Sequence, residues 1–208
     1  KAKEFSTVQR SSMVGIFLSQ NYHSRGKEIP EYIVDKLKDV DLLPLVAENI
    51  SETIKDFNII KHKTFVEGVE IAPSADNLLS TLKEKYKGKV VYIDVWATWC
   101  APCITQFSYL KELKANKLKD VVYVYVCAQS EKKVFDLMVK KHELVGENYF
   151  LDNDQYAVFD KEVNITGFPT YMVITKEGKL VREGIKRPST RAELANQLKE
   201  FAASPVKN

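Results

Sequence analysis

The sequence predicts an α/β fold, a mixed central sheet flanked by helices on both faces, with a small helical region ahead of it. Three observations carry this. Residues 90–96 and the run VVYVYVCA are short, nearly continuous apolar stretches rich in β-branched and aromatic residues, as strands covered on both faces are. Stretches with helical spacing alternate with these runs, which is the pattern that builds parallel units with helical crossovers. Near the C-terminus, TYMVITK and KLVREG meet across Glu177-Gly178, a tight-turn pair, and read as an antiparallel hairpin.

The elements follow in order. Residues 1–70 form a helical N-terminal region and residues 71–208 the α/β domain. Ser11 or Ser12 is placed to cap a helix through MVGIFLSQNY. Residues 30–38 open with proline at a helix-start position and bring Ile33, Val34 and Leu37 to one face. LPLVAENI and SETIKDFNIIKHKTF continue that period, with Ser51 as the cap of the last helix. This region holds no chemical motif and reads as a small bundle that covers another surface. EGVEIAPSAD marks the boundary by its composition. Ser74 then caps a helix through NLLSTLKEKY, which Gly88 ends. Next come the strand KVVYIDVW, a cysteine-bearing helix to about Asn116, and the strand VVYVYVCA. A helix from Glu131 to about Lys141, a short strand near NYF and a helix over DQYAVFDKEV lead to the hairpin. A last helix, capped by Ser189 or Thr190, runs to Phe201.

Composition removes several functions. The chain has 208 residues, is 45% hydrophobic and carries a formal net charge of +3, without a concentrated basic patch. That balance argues against nucleic-acid or membrane-surface binding. No apolar run approaches the roughly eighteen residues a membrane span needs. The chain begins at Lys1, so the lack of a signal sequence carries no information about export, and an anchoring segment ahead of it is compatible with what is seen. Three cysteines are too few for a disulfide scaffold. Cys127, alone in an apolar run, reads as a small buried hydrophobe.

The chemistry concentrates in YIDVWATWCAPC, residues 92–103. A Cys-x-x-Cys at the junction of a strand and a helix is a thiol–disulfide redox signature. Cys100 falls at the helix N-cap or first turn, where free N–H groups and the positive dipole end stabilise a thiolate. Cys103, three residues on, shares its face and is close enough to close a disulfide. Pro102 fits the first turn, where its missing N–H costs nothing. A zinc site needs two more ligands, and Cys127, His23, His62 and His142 stand at no paired spacing. A static staple across so short a loop gains little chain entropy. The reading is therefore redox, with no metal and no cofactor beyond the Cys100–Cys103 disulfide itself.

At this point residues 71 to 205 resemble a thioredoxin-fold domain. Three matches carry the resemblance: WATWCAPC, close to the family's Trp-Cys-Gly-Pro-Cys; Asp94, six residues before Cys100, where thioredoxins hold a buried aspartate; and Thr166-Gly167-Phe168-Pro169-Thr170, similar to the family's cis-proline loop. The stretch from Glu131 to Asn164 resembles the insertion of the TlpA/ResA-like (AhpC/TSA-related) branch, whose members are extracytoplasmic thiol–disulfide oxidoreductases. A helical extension ahead of such a domain resembles larger multi-domain members of that branch. Relatives typically carry glutamate three residues after the second cysteine, with proline two residues later. Here Gln106 and Ser108 stand there, which leans away from cytochrome maturation and toward a general reductase.

The resemblance implies a mechanism. Cys100 attacks a substrate disulfide and Cys103 resolves the mixed disulfide. Asp94, kept partly protonated by burial in its strand, accepts the Cys103 proton. Pro169 follows a cis peptide bond, placing the Phe168 backbone beside the disulfide, where a substrate peptide pairs as an added strand. Trp99, Ala101, Pro102, Phe168 and Pro169 then form the substrate-binding surface, while Trp96 packs in the core. The implied function is a periplasmic protein-disulfide reductase acting on disulfide-containing proteins and restored by a membrane thiol-reductase electron donor. Two other readings stand beside it. A thiol peroxidase needs Thr-x-x-Cys, and Ala97 occupies the threonine position. A non-enzymatic binding module would hold a partner through the N-terminal helices around a static disulfide.

Overall fold

The structure is a computed structural model and describes residues 6–21, 29–44, 46–48, 50–51, 68–73, 77–115, 118 and 120–204. The chain divides into two compact units, Lys1–Thr64 and Phe65–Asn208.

In the first unit, α1 spans Thr7–Asn21 and α2 spans Glu31–Lys38. The sequence reading started α1 too late. Ser6 and Gln9 form a reciprocal cap, the Ser6 N–H donating to Gln9 Oε1 at 3.0 Å and the Gln9 N–H to Ser6 Oγ at 3.3 Å. Ser11 and Ser12 therefore lie inside the helix. Ser11 is buried, and its hydroxyl accepts the Leu43 N–H at 2.8 Å. Thr7 and Arg10 both engage the Asp41 carboxylate, so the chain after α2 is held to α1 at two points. Pro30 stands at the N-cap of α2, where a donor would have no helical partner. Ser51 is itself helical rather than a cap, and the segment after it lies outside the described residues, as does Ser74.

The second unit is built on a six-stranded sheet ordered β1-β4-β3-β2-β5-β6. Its strands are β1 (Val69–Ile71), β2 (Val90–Trp96), β3 (Val121–Cys127), β4 (Gly146–Phe150), β5 (Thr170–Ile174) and β6 (Leu180–Val181). β1, β4, β3 and β2 run parallel; β5 and β6 are antiparallel to their neighbours. β1, inside the stretch read only as a boundary, was not anticipated. Three residues beside turn-forming ones give too little alternation to register as a strand.

The helices are α3 (Leu78–Lys85), α4 (Ala101–Ala115), α5 (Lys132–Lys141), α6 (Asn153–Val163) and α7 (Ala192–Ala203). Right-handed crossovers decide their side. The step from β1 to β2 runs one way along the sheet, and the steps β2 to β3 to β4 run the other. α3, the β1–β2 crossover, therefore packs on the face of Val91, Ile93 and Val95, where α6 joins it; α4 and α5, the β2–β3 and β3–β4 crossovers, pack on the face of Val90, Tyr92 and Trp96, where α7 joins them. β2 is buried along its whole length because it has a helical layer on each side.

Two predicted caps are corrected. The α3 cap is Asn77, whose side chain accepts the Ser80 N–H at 3.0 Å. Ser189 and Thr190 lie in a short 3-10 turn, Pro188–Thr190, and the N-cap of α7 is Arg191, with no side-chain cap. Pro188 at the start of that turn competes for the residues that follow, leaving no serine or threonine at the α7 start.

Candidate active site

β2 delivers the site. Its C-terminal end leads through Ala97, Thr98 and Trp99 to Cys100, which stands directly ahead of α4. The Cys100 carbonyl accepts from the Cys103 and Ile104 N–H groups at 3.0 and 3.1 Å, so Cys100 is the N-cap of that helix. The Cys103 N–H also points at Cys100 Sγ, 3.2 Å away. A thiolate at Cys100 would thus meet an oriented backbone donor and the positive end of a fifteen-residue helix. The two sulfurs are joined as a disulfide, with Cα atoms 5.3 Å apart.

Cys100 is 3% exposed and Cys103 fully buried. Of the two, Cys100 is the less buried, but an attacking thiol needs access to solvent and its sulfur is almost closed off. The sulfur packs in the same apolar cluster as Trp96, Ala97 and Phe107. Exposure at the site comes instead from Trp99, 63% exposed, and from Ala101 and Pro102.

Opposite the helix start lies the loop before β5. Its Phe168–Pro169 peptide is cis, and both residues are half-buried. The Trp99 and Phe168 rings meet edge to face at 5.7 Å, and Tyr156 of α6 lies 6.4 Å from Phe168. The three aromatics form one wall, in which Trp99 adjoins Cys100 in the chain and Phe168 packs on the cluster that holds both cysteines. Sequence reasoning missed Tyr156, and it missed the loop after β3 that braces the motif. Trp99 Nε1 donates to the Gln129 carbonyl at 2.8 Å, and the Thr98 N–H donates to Ser130 Oγ at 2.9 Å. The left-handed φ of +50° at Gln129 is the backbone trace of that sharp loop. No local pattern in the sequence announces it.

Beneath the motif, Asp94 is completely buried, and neither carboxylate oxygen has a hydrogen-bond partner. It sits mid-sheet, opposite Tyr125 of β3 and Tyr171 of β5, on the same face as Tyr92 and Trp96. Burial pushes its titration up to about 8, against the pull of the Lys114 ammonium. Lys114, in the last turn of α4, is pushed down to about 7 by the same burial, against the attraction of Asp94. Its Nζ donates to Tyr125 Oη at 2.7 Å and to the Val145 carbonyl, and it lies 4.2 Å over the Tyr125 ring. Gln106 is a tether: its Oε1 accepts the Ser189 N–H at 2.9 Å. Among the described residues, no group of His, Cys, Asp and Glu could hold a metal ion, and no helix is long and apolar enough to cross a membrane.

Comparison with known proteins adds to this geometry. The family model described as Redoxin matches residues 51–198. The thiol-disulfide oxidoreductase ResA of Bacillus thuringiensis subsp. konkukian is 30% identical over 144 residues, which cover 65% of this chain and 80% of that protein. ResA of Geobacillus kaustophilus is 29% identical over 151 residues, covering 69% and 83%. Among solved structures, the thioredoxin domain of a thiol-disulfide oxidoreductase from Bacteroides vulgatus superposes with a TM-score of 0.51 at 22% identity, covering 57% of this chain and 83% of that one. A putative thiol:disulfide interchange protein DsbE from Chlorobium tepidum gives 0.50 at 23%, covering 58% and 84%. At those identities the structures speak for the thioredoxin fold alone.

Proposed function

Since the chain belongs to the Redoxin family and is a thiol–disulfide oxidoreductase, we propose that it works in the reducing direction on protein disulfides. The supporting observation is Cys100 at the N-cap of α4, with the Cys103 N–H aimed at its sulfur and Cys103 sealed behind it. Cys100 as thiolate attacks a substrate disulfide. One substrate sulfur leaves as a thiolate, and the other stays bonded to Cys100. Cys103 gives its proton to Asp94 and attacks Cys100, so the mixed disulfide breaks, Cys100–Cys103 forms and the reduced substrate departs. Trp99, Phe168 and Tyr156 supply the apolar wall, and the backbone beside Pro169 supplies an edge for an extended peptide.

The TlpA/ResA resemblance supports two finer statements. The protein acts outside the cytoplasm, and its dithiol is restored by a membrane-bound thiol reductase. Neither a metal nor an organic cofactor enters the reaction. The peroxidase reading has no support at Ala97, and the static-disulfide reading gives no role to a buried carboxylate on the dithiol's own face of the sheet.

Insulin reduction tests the activity. Wild type is expected to precipitate insulin chains, and Cys100→Ser and Cys103→Ser to be inactive. Cys103→Ser exposed to periplasmic extract should accumulate mixed disulfides at Cys100. Equal rates for wild type and both variants would remove the reductase reading.

A further inference from the structure

The C-terminal half of α4 borders a cavity that the dithiol chemistry does not use. About 240 Å³ of space opens between α4 and the α5–β4 connection. Phe107, Lys111 and Lys114 stand at helical spacing and present one face of α4 to it. Tyr125 of β3 lines it from the sheet, and His142 and Glu143 line it from the connection. At about 30 Å³ per water it has room for about eight waters, or for one molecule of about ten non-hydrogen atoms.

The lining has two chemical characters. One is aromatic: the Phe107 ring meets Tyr125 edge to face at 5.9 Å and lies 5.4 Å from the His142 ring. The other is cationic. Lys114 is held at the cavity by neutral groups, Tyr125 Oη at 2.7 Å and the Val145 carbonyl, with its Nζ 4.2 Å over the Tyr125 ring. Those two bonds occupy two of the three N–H donors of an ammonium. Among the described residues no carboxylate pairs with Lys114: Asp94 bonds no group, and Glu143 pairs with Lys111 at 2.6 Å. Lys111 and Lys114 against Glu143 leave the lining with one positive charge in excess. A cation set back from water without a counter-ion is costly, and an anion that reaches it offsets that cost through a charge-assisted hydrogen bond.

We propose that this cavity binds a small aromatic monocarboxylate, its carboxylate accepting from the third N–H of Lys114 and its ring lying against Phe107 and His142. One negative charge matches the one in excess. The ring covers an aromatic wall that an inorganic anion would leave bare. The dithiol stands at the other end of the same helix, so the inference does not depend on the reductase reading.

Benzoate is the probe, with benzamide as its neutral counterpart in shape and acetate as the same charge without a ring. At about pH 6 benzoate is ionised, and Lys114, pushed down by burial to about 7, is mostly protonated. Titrated into the full chain and followed by NMR, benzoate is expected to bind with a Kd of about 1 mM, and benzamide and acetate roughly tenfold more weakly. Nuclear Overhauser contacts from the benzoate ring should fall on Phe107 and Leu144, which both line the cavity. Lys114→Met should weaken benzoate roughly tenfold and change benzamide by less than about twofold. Benzamide or acetate as tight as benzoate, ring contacts elsewhere on the chain, or no saturation by about 20 mM overturns the inference. So does benzoate binding to folded Lys114→Met within about twofold of wild type. The wild-type titrations decide the matter by themselves if that variant does not fold.

Discussion

Asp94 makes no hydrogen bond and sees no solvent, so its charge is held at the expense of the fold. Its native titration near 8 lies above the ordinary carboxylate value of 3.8, so the native state binds an extra proton between the two. Stability therefore falls as pH rises through that window. Lys114 has the opposite sign: native titration near 7 against 10.5 makes stability rise from about 7 upward. Asp94→Asn is expected to abolish the fall, which in wild type amounts to about 2 kcal/mol between about pH 5 and about pH 7. Urea midpoints at those two pH values check this, and an equally steep fall in the variant would clear Asp94 of responsibility. Trp99 behaves differently because it is mostly exposed. Trp99→Ala should leave the melting temperature unchanged and raise KM for a disulfide-bonded peptide roughly fivefold, about 1 kcal/mol of lost apolar contact. At this scale the dithiol was legible because Cys100, Pro102 and Cys103 act within one helical turn. Lys114 was not, since only the packing of α4 on the sheet brings it to Tyr125.

Elements are where local signals succeeded and where they conflicted. The β2, β3 and hairpin runs were readable because each is short, apolar and closed by turn residues. Caps were misread wherever several polar residues competed. Ser11 looked like a cap, yet the Ser6–Gln9 pair starts the helix earlier. The capping box at Asp152 and Gln155, which opens α6, was also passed over. Its loss has a definite size: Asp152→Ala should cost about 1 kcal/mol in denaturant unfolding. That variant should also weaken peptide binding, because α6 carries Tyr156 to the wall beside Phe168. Gly146 at the start of β4 is a harder constraint. Its φ is +120°, and a Cβ there would lie 2.5 Å from the Tyr123 carbonyl oxygen. Gly146→Ala should therefore lower stability by roughly 2–4 kcal/mol, because backbone rather than a flexible side chain must move. A melting temperature within a degree or so of wild type would show that the ladder yields more easily than this contact implies.

For the whole molecule, the sheet order explains why one end of β2 became the working end. The chain enters β2 from one direction and leaves it in the other, so the helices divide between two faces and leave the α4 start open to the β5 loop. Every proposed site residue and both apolar clusters come from residues 65–208. A fragment of those residues is expected to fold and to reduce insulin within about twofold of the full chain. Loss of activity in a well-folded fragment would assign the first unit a part in the chemistry. The mixed sheet was readable in advance because apolar runs and helical stretches alternate so regularly. The long-range gathering of Asp94, Tyr171, Lys114 and the Gln129 loop was not, because no pairwise signal in one sequence reports it.

The remaining cysteine has a use of its own. Cys127 is buried, and its thiol is pushed up to about 12, so it offers almost no thiolate to a reagent in the native protein. Unfolding exposes it in every redox state. Three cysteines and one disulfide then make the count odd: one thiol from each oxidised chain and three from each reduced chain. A thiol count per chain in denaturant, less that constant one and then halved, gives the electron pairs each chain holds.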